Sequence, residues 1–535
     1  MKVLITDKIN EKAADIVREA AEPVVLPTMD EDELCKVIDE YDALLVRSQT
    51  KVTKKVIEAG KNLKIIGRAG VGVDNIDLNA ATENGIIVVN SPDGNTHAAA
   101  EHTVALMLSM ARNIPEAVKS TKEGNWERSK FTGVEVFGKT LGVIGFGKIG
   151  QHVARAALAL GMNLVVNDPY TTKDFVEKFG GKYVENLEDF WALPDFITVH
   201  TPKTPETTHM INETTIAKMK DGVRLVNCAR GGIIDEAALK AALESGKVAS
   251  CAVDVFEDEK NIQDCVLRDF GKNVLLTPHL GASTSEAQIN VALDVAEQVK
   301  DVLSGGNATS AVNIPSLKPQ KLEPVKDYMS IAENIAQMAA QISKGNLKNI
   351  EIEVKGSLAD LDVSPLETAI LKGVLSNNLV GVNYVNAPLL AKSRGIDVTV
   401  KKSHQSTDYI GSITVKLNCD KESAEVSGAM IAEHIKRIVK LNDYSTSIKP
   451  EKFMLLVPHV NKPGMIAQVA TVLGTDNVNI SRMQVVQKSF KKDALKTDEK
   501  SMMIINTDNE VNKDTLDKIA KIDGIYEAEF VKLNI

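Results

Sequence analysis

Leu141-Gly142-Val143-Ile144-Gly145-Phe146-Gly147-Lys148-Ile149-Gly150 decides the fold. Leu141–Ile144 reads as a buried strand and Gln151–Leu160 as the helix after it. Glycines spaced GxGxxG between strand and helix suit a dinucleotide. Gly145 permits the tight turn, Gly147 lets backbone amides approach a pyrophosphate, and Gly150 lets the helix pack close to the strand. The helix N-terminus adds free N–H groups and a positive dipole end. Asp168 stands at the end of the next strand, Asn163–Asn167. A carboxylate there accepts from ribose hydroxyls and repels a 2′-phosphate, which selects NAD over NADP. Glycines alone also fit a turn without a ligand. Strand, spacing and acid together favour the cofactor.

Working outward, Phe196–His200, Leu225–Asn227, Ala252–Val255 and Val274–Thr277 read as further strands. Upstream, Lys2–Thr6, Val24–Leu26, Ala43–Val46, Leu63–Ile66 and Ile86–Val89 alternate with helix-length polar segments. Both series predict βαβ units and parallel sheets. Since the glycine turn begins near residue 140, the N-terminal unit is a separate substrate domain. The long helix Ser283–Leu303 leads the chain back to it, with the active cleft between the two lobes. Asn307–Lys321, with Pro315 and Pro319, reads as a linker. The final stretch reads strand, helix, strand, strand, helix, strand, a ferredoxin-like βαββαβ pattern. The expected architecture is α/β. A Rossmann-type NAD domain (97–285) is inserted in a flavodoxin-like substrate domain (1–96 and 286–315). An α+β intervening domain (316–449) and a βαββαβ domain (450–535) follow.

The chain has 535 residues, enough for three or four domains. Its net charge of −9 argues against a general nucleic-acid binder. The N-terminus has no signal-peptide pattern, and no apolar run approaches a membrane span. Cys35, Cys228, Cys251, Cys265 and Cys419 are scattered, with no CxxC pair. They read as reduced thiols of a cytoplasmic enzyme. The histidines show no metal spacing such as HExxH, so no metal is expected.

Three segments at predicted strand ends carry candidate chemistry: Asn227–Gly232 (NCARGG), Asp254–Glu259 (DVFEDE) and Thr277–Ala282 (TPHLGA). Oxidising an alcohol requires a base for the hydroxyl proton as hydride leaves, and histidine suits this near neutrality. A carboxylate beside it fixes the ring, and an arginine anchors a substrate carboxylate with paired N–H donors. Taken singly, His279 reads more readily as a structural or solvent histidine, and Glu259 as a solvated loop acid.

These motifs, together with GRAGVGVDNID (67–77), WERSKFTG (126–133), VNCARGGIIDE (226–236) and PHLGAST (278–284), resemble the D-isomer-specific 2-hydroxyacid dehydrogenases, in their long form. The resemblance implies NAD-dependent oxidation of 3-phospho-D-glycerate to 3-phosphohydroxypyruvate, the first step of L-serine biosynthesis. It makes Arg230 the substrate-orienting arginine, Glu259 the partner of the histidine and His279 the acid–base. It puts cofactor contacts on Gly145, Gly147, Lys148, Ile149, Gly150, Asp168, Thr201, Cys228, Ala229, Arg230, Asp254, His279, Gly281 and Ala282. Val71 stands where some relatives carry threonine, so that hydroxyl contact is missing. For a phosphorylated substrate the fixed cations would be Arg47 and Arg68 at strand ends. Arg128 and Lys130, in a segment that forms a dimer arm in the family, are expected to bind the substrate as well. Backbone amides at Gly70, Val71 and Gly72 would take the substrate carboxylate. A homodimer or homotetramer is expected. The alternatives are a dehydrogenase for another, unphosphorylated D-2-hydroxy acid, and an NAD-sensing binding protein on the same scaffold.

Lys392, Arg394, Lys401 and Lys402 in the intervening segment suit either an anion site or a solvated basic edge. Val457–Ile466 (VPHVNKPGMI) resembles the ligand turn of an ACT domain, a small-molecule sensor of amino-acid pathways. In serine-inhibited relatives the positions of His459, Asn461 and Asn479 carry the same residue types, so L-serine is the expected effector.

Overall fold

The computed structural model describes residues 1–404, 408–432, 434–488 and 500–535. Four sheets follow one another along the chain. The first is parallel, in the order Glu22–Val25, Lys2–Ile5, Ala43–Val46, Ile65–Arg68, Ile87–Asn90. This is the flavodoxin-like order 2-1-3-4-5. The second is also parallel, in the order Val274–Leu276, Val248–Val253, Val223–Asn227, Phe196–Val199, Thr140–Ile144, Asn163–Asn167, Lys182–Tyr183. Its strand order reverses at Thr140–Ile144, the strand that carries the glycine turn. Open α/β sheets bind ligands at that switch point.

Two long helices tie these lobes together. Thr96–Ala111 leaves the first lobe and packs on the second, burying Leu106, Met107 and Met110 against Leu141 and Val143. Ser285–Leu303 returns and buries Val291, Val295 and Val299 on the first sheet. The approach is close: a Cβ on Gly67 would lie 2.4 Å from Val295 Cγ1. Only glycine in that strand admits the helix.

The third sheet runs Asp397–Ser403, Leu347–Gly356, Gly411–Cys419, Ala424–Ala432, Ile435–Leu441, Tyr444–Ile448, with helices Lys326–Ile342 and Ser364–Leu375 against it. The last is antiparallel, in the order Ile480–Gln487, Lys500–Thr507, Phe453–Val460, Glu529–Lys532. With helices Met465–Thr475 and Lys513–Ala520 it completes the ferredoxin-like fold. Alternation along its first strand serves two cores. Leu455 and Val457 face its own helices, whereas Met454 and Leu456 join the core of the third sheet. Gln341 seals the open edge by pairing with Lys532, its amide donating to the carbonyl oxygen and its carbonyl accepting the N–H, both at 2.9 Å.

The α/β class and the order of layers agree with the sequence reading. That reading lacked the strands Ala424–Ala432, Ile435–Leu441 and Tyr444–Ile448. The first is interrupted by Ser427 and Gly428, and Gly428 is there because a Cβ would meet Ile331 at 2.5 Å. No helix among the described residues is long and apolar enough to cross a membrane.

Candidate active site

The glycine turn has the geometry its spacing requires. Gly145 takes φ +90°, and a Cβ there would lie 2.7 Å from the His200 carbonyl oxygen. A Cβ on Gly150 would strike the Gly145 carbonyl oxygen at 2.2 Å, so the helix Lys148–Ala159 packs hard on the turn. Gly147 is different: nothing lies within 4 Å of its Cβ position. It caps the helix without a side chain, leaving the first-turn N–H groups facing open space. Asp168 is buried beside this turn. Its two carboxylate oxygens accept the N–H of Phe146 at 2.5 Å and of Tyr170 at 2.6 Å. The acid is thus fixed next to the open Gly147. Thr201 places a buried hydroxyl without a protein partner near the same turn. The open cradle, the free amides and the fixed acid fit the pyrophosphate and ribose of NAD.

Along the second sheet, Asp254 organises the next element. It is 0% exposed and follows strand Val248–Val253. Its carboxylate accepts from the Thr277 hydroxyl at 2.5 Å, the Leu280 N–H at 2.8 Å and the Gly281 N–H at 2.9 Å, with His102 Nε2 at 3.1 Å. Burial opposes its ionisation, but these donors outweigh burial and hold the carboxyl below its ordinary range. The loop 277–281 is clamped as a result. Within it His279 takes φ +53°, unusual for a side chain of this size, and its N–H donates to the Asp254 carbonyl at 2.9 Å. Strain of this kind, on the order of 1–3 kcal/mol, is held where the surroundings over-determine it.

That conformation aims His279 Nδ1 at Glu259, 2.9 and 3.0 Å from its two carboxylate oxygens. The hydrogen bond to Glu259 raises the pKa of the imidazole above its ordinary value, against the opposing effect of burial. The same bond lowers the pKa of Glu259. With Nδ1–H donating to Glu259, Nε2 keeps its lone pair for a proton.

The His279–Glu259 pair opens on a cleft of about 1000 Å³ between the first two lobes. Arg47, Arg68, Gly70, Val71, Gly72, Arg230, Glu259, His279 and Ala282 all line it. Arg68 is half-buried with its guanidinium against Gly70, and its buried Nε has no hydrogen-bond partner. Burial, then repulsion from Arg230, pulls the Arg68 pKa down. Arg230 lies beside Gly72 and donates to the Ala229 carbonyl at 2.7 Å. Asn95, also lining the cleft, has a buried amide oxygen without a partner. Unpaired buried donors and acceptors in a cleft are what a polar ligand would satisfy.

Other expected residues fall elsewhere. Arg128 and Lys130 lie on the exposed turn Arg128–Phe131, where Lys130 pairs with Glu127 at 3.1 Å, and neither lines the cleft. Lys148 reaches Asp93 of the first lobe at 2.7 Å. Cys228 lies within 4.8 Å of His102 and Asp254 in ligand atoms. Burial pushes its thiol up to about 12, and Asp254 is already committed, so the trio is hydrogen-bonded chemistry and not a thiolate site. Of the effector set, His459 is buried in strand Phe453–Val460, with Nδ1 3.1 Å from the Val457 carbonyl oxygen. Asn461 is exposed, and the Asn479 amide donates to Asp508 at 2.5 Å. Lys401 pairs with Glu351 at 2.9 Å, and Lys402 donates to the Leu361 carbonyl. The cleft residues Ser48, Lys51, Asn95 and Lys260 were not singled out from sequence. Lys51 had a signal, since it lies four residues beyond Arg47 in the same strand-end loop.

Residues 104–281 match the NAD-binding domain of the D-isomer-specific 2-hydroxyacid dehydrogenases, and residues 324–442 match the D-3-phosphoglycerate dehydrogenase intervening domain. The chain is 46% identical to a D-3-phosphoglycerate dehydrogenase of Synechocystis sp., over 99% of this chain and 95% of that protein. It is 42% identical to one from Methanocaldococcus jannaschii, over 100% of both. Among solved structures, D-lactate dehydrogenase from Aquifex aeolicus, complexed with NAD and lactic acid, is similar with TM-score 0.51 and 30% identity. That likeness covers 57% of this chain and 96% of the other.

Proposed function

The chain belongs to the D-3-phosphoglycerate dehydrogenases, within the NAD-dependent D-2-hydroxyacid dehydrogenase family, and we propose that its inter-lobe cleft performs their oxidation. The reaction takes 3-phospho-D-glycerate to 3-phosphohydroxypyruvate and is the first step of L-serine biosynthesis. Bound NAD supplies the hydride acceptor. Lys148, Ile149 and the glycine turn hold it, with Asp168 on the ribose and Thr201, Cys228, Ala229, Gly281 and Ala282 around the rest.

The protein's own part is proton handling and charge. His279 Nε2 removes the C2 hydroxyl proton, and Glu259 stabilises the imidazolium that forms. Arg230 holds the substrate carboxylate and polarises the new carbonyl. Arg68 and Arg47 meet the remaining negative charge, and the backbone at Gly70–Gly72 closes around the carboxylate. The observation that carries this reading is the His279–Glu259 pair opening onto a cleft lined by Arg68, whose buried Nε is an unpaired donor. NADH formation from NAD and 3-phospho-D-glycerate tests it. Turnover is expected, with NADP a poor substitute, and no turnover between pH 7 and 9.5 would overturn it.

In this reading the chain divides into substrate domain 1–96 and 286–315, NAD domain 97–285, intervening domain 316–449 and ACT domain 450–535, and the four successive sheets support the division. L-serine is the effector of the last, held near His459, Asn461 and Asn479. Gly464, at φ +88°, opens helix Met465–Thr475 there without a side-chain cap, which supports a carboxylate at its N-terminus. Asn461→Ala is expected to abolish inhibition by millimolar serine. The enzyme assembles as a homodimer or homotetramer through the segment holding Arg128 and Lys130, where Trp126 is 82% and Phe137 74% exposed. Five cysteines without a disulfide support a cytoplasmic location.

A further inference from the structure

Two lysines in the cleft have no part in the chemistry above. Lys51 comes from the first lobe, in the loop after strand Ala43–Val46, and Lys260 from the second, next to Glu259. Both line the same cleft as Arg68, Arg230 and His279. Neither is ion-paired among the described residues. Both are exposed at the cleft wall, one on each lobe, and the like charge of Lys260 pulls the Lys51 pKa below its ordinary value. Two like charges held together across a seam between lobes are unfavourable until an anion sits between them.

We propose that Lys51 and Lys260 form a two-lobed clamp for the substrate's phosphate, one ammonium contributed by each wall of the cleft. The inference rests on the phosphorylated substrate proposed above and names the residues that select for it. The division of labour follows from donor geometry. Arg230, with its planar fork, suits a carboxylate, whereas paired ammonium groups act as point charges and suit a dianion, adding to the charge that Arg47 and Arg68 already bring to the phosphate. The placement also ties recognition to chemistry. Lys260 adjoins Glu259, which fixes His279, so a phosphate that draws Lys260 towards Lys51 settles the base over the substrate. The repulsion then has a use: a phosphate dianion seated between the two ammonium groups relieves it more than a singly charged anion would.

Lys51→Met, Lys260→Met and the double variant test this, with Lys51→Arg and Lys260→Arg as charge-keeping controls. The readout is kcat and KM for 3-phospho-D-glycerate and for D-glycerate. Each neutral variant is expected to raise KM for the phosphorylated substrate on the order of tenfold, the usual worth of a hydrogen bond to a charged group. The double variant should lose more, the arginine variants should keep most of the affinity, and the loss should be confined to the phosphorylated substrate. Equal losses on both substrates would mean a structural role and overturn the clamp. So would no loss on either. An unaltered enzyme that does not prefer the phosphorylated substrate would overturn the substrate reading itself, and the clamp with it.

Discussion

Two regions of the molecule carry clustered basic residues, and they differ in what neutralises them. In the cleft, Arg47, Lys51, Arg68, Arg230 and Lys260 have no acidic partner within ion-pair reach among the described residues. At the edge of the third sheet, Lys401 is held by Glu351 at 2.9 Å, Lys402 by the Leu361 carbonyl, and the Arg394 guanidinium by the Leu390 carbonyl at 3.5 Å. Charge density on the sequence is similar in both. What separates them is that each of these edge cations is held by a carboxylate or a carbonyl, whereas in the cleft only Arg230 has such a partner among the described residues, the Ala229 carbonyl at 2.7 Å. The half-buried arginines left without an acidic partner carry a desolvation cost, and the exposed lysines a mutual repulsion, that a bound anion removes. Cations satisfied by their own sheet have no such need.

The comparison can be sharpened by removing single groups. The largest effect belongs to the base. His279→Ala should cut kcat by roughly 10²–10⁴ and leave NAD affinity near normal, checked by steady-state rates and cofactor titration. Next comes Arg68→Ala, which removes a half-buried guanidinium that lines the cleft and keeps an unpaired Nε. A loss in kcat/KM of roughly 10–10², the scale of a charged hydrogen bond, is expected.

Glu259→Gln has a smaller effect on rate and a directional one on pH. Glu259 raises the pKa of His279, so in the parent the base becomes competent only above that raised value. Removing the carboxylate lowers the pKa, and the rising limb of the oxidation profile should move to lower pH. An unmoved limb would break the pairing. The smallest effect is on the other side of the comparison. Lys401→Met with Lys402→Met should change KM for substrate less than twofold, because these charges are already met.

The parts of this molecule legible in sequence are those in which local geometry and chemistry coincide. GxGxxG after a strand could be read because Gly145 and Gly150 are forced by backbone contacts within the same motif. His279, Glu259 and Arg230 could be named as candidates because each lies in a loop just past a strand end, within motifs that carry the family resemblance. Lys51 and Lys260 were not, since their meeting depends on how two lobes separated by two hundred residues face each other. For the same reason position along the chain did not reveal that Arg128 and Lys130 lie away from the cleft lining. The hairpin strands after Ala424 were hidden because Gly428 answers to a helix, Lys326–Ile342, distant in sequence.

The most direct test of the central claim, that unneutralised cations in the cleft select a phosphorylated hydroxy acid, is the ratio of kcat/KM for 3-phospho-D-glycerate over D-glycerate. It should be followed by NADH formation with the unaltered enzyme at one pH and ionic strength. A ratio of roughly 10² or more is expected from two or more charged contacts to the phosphate, and it should fall as salt rises. A ratio near one, unmoved by salt, would contradict the account.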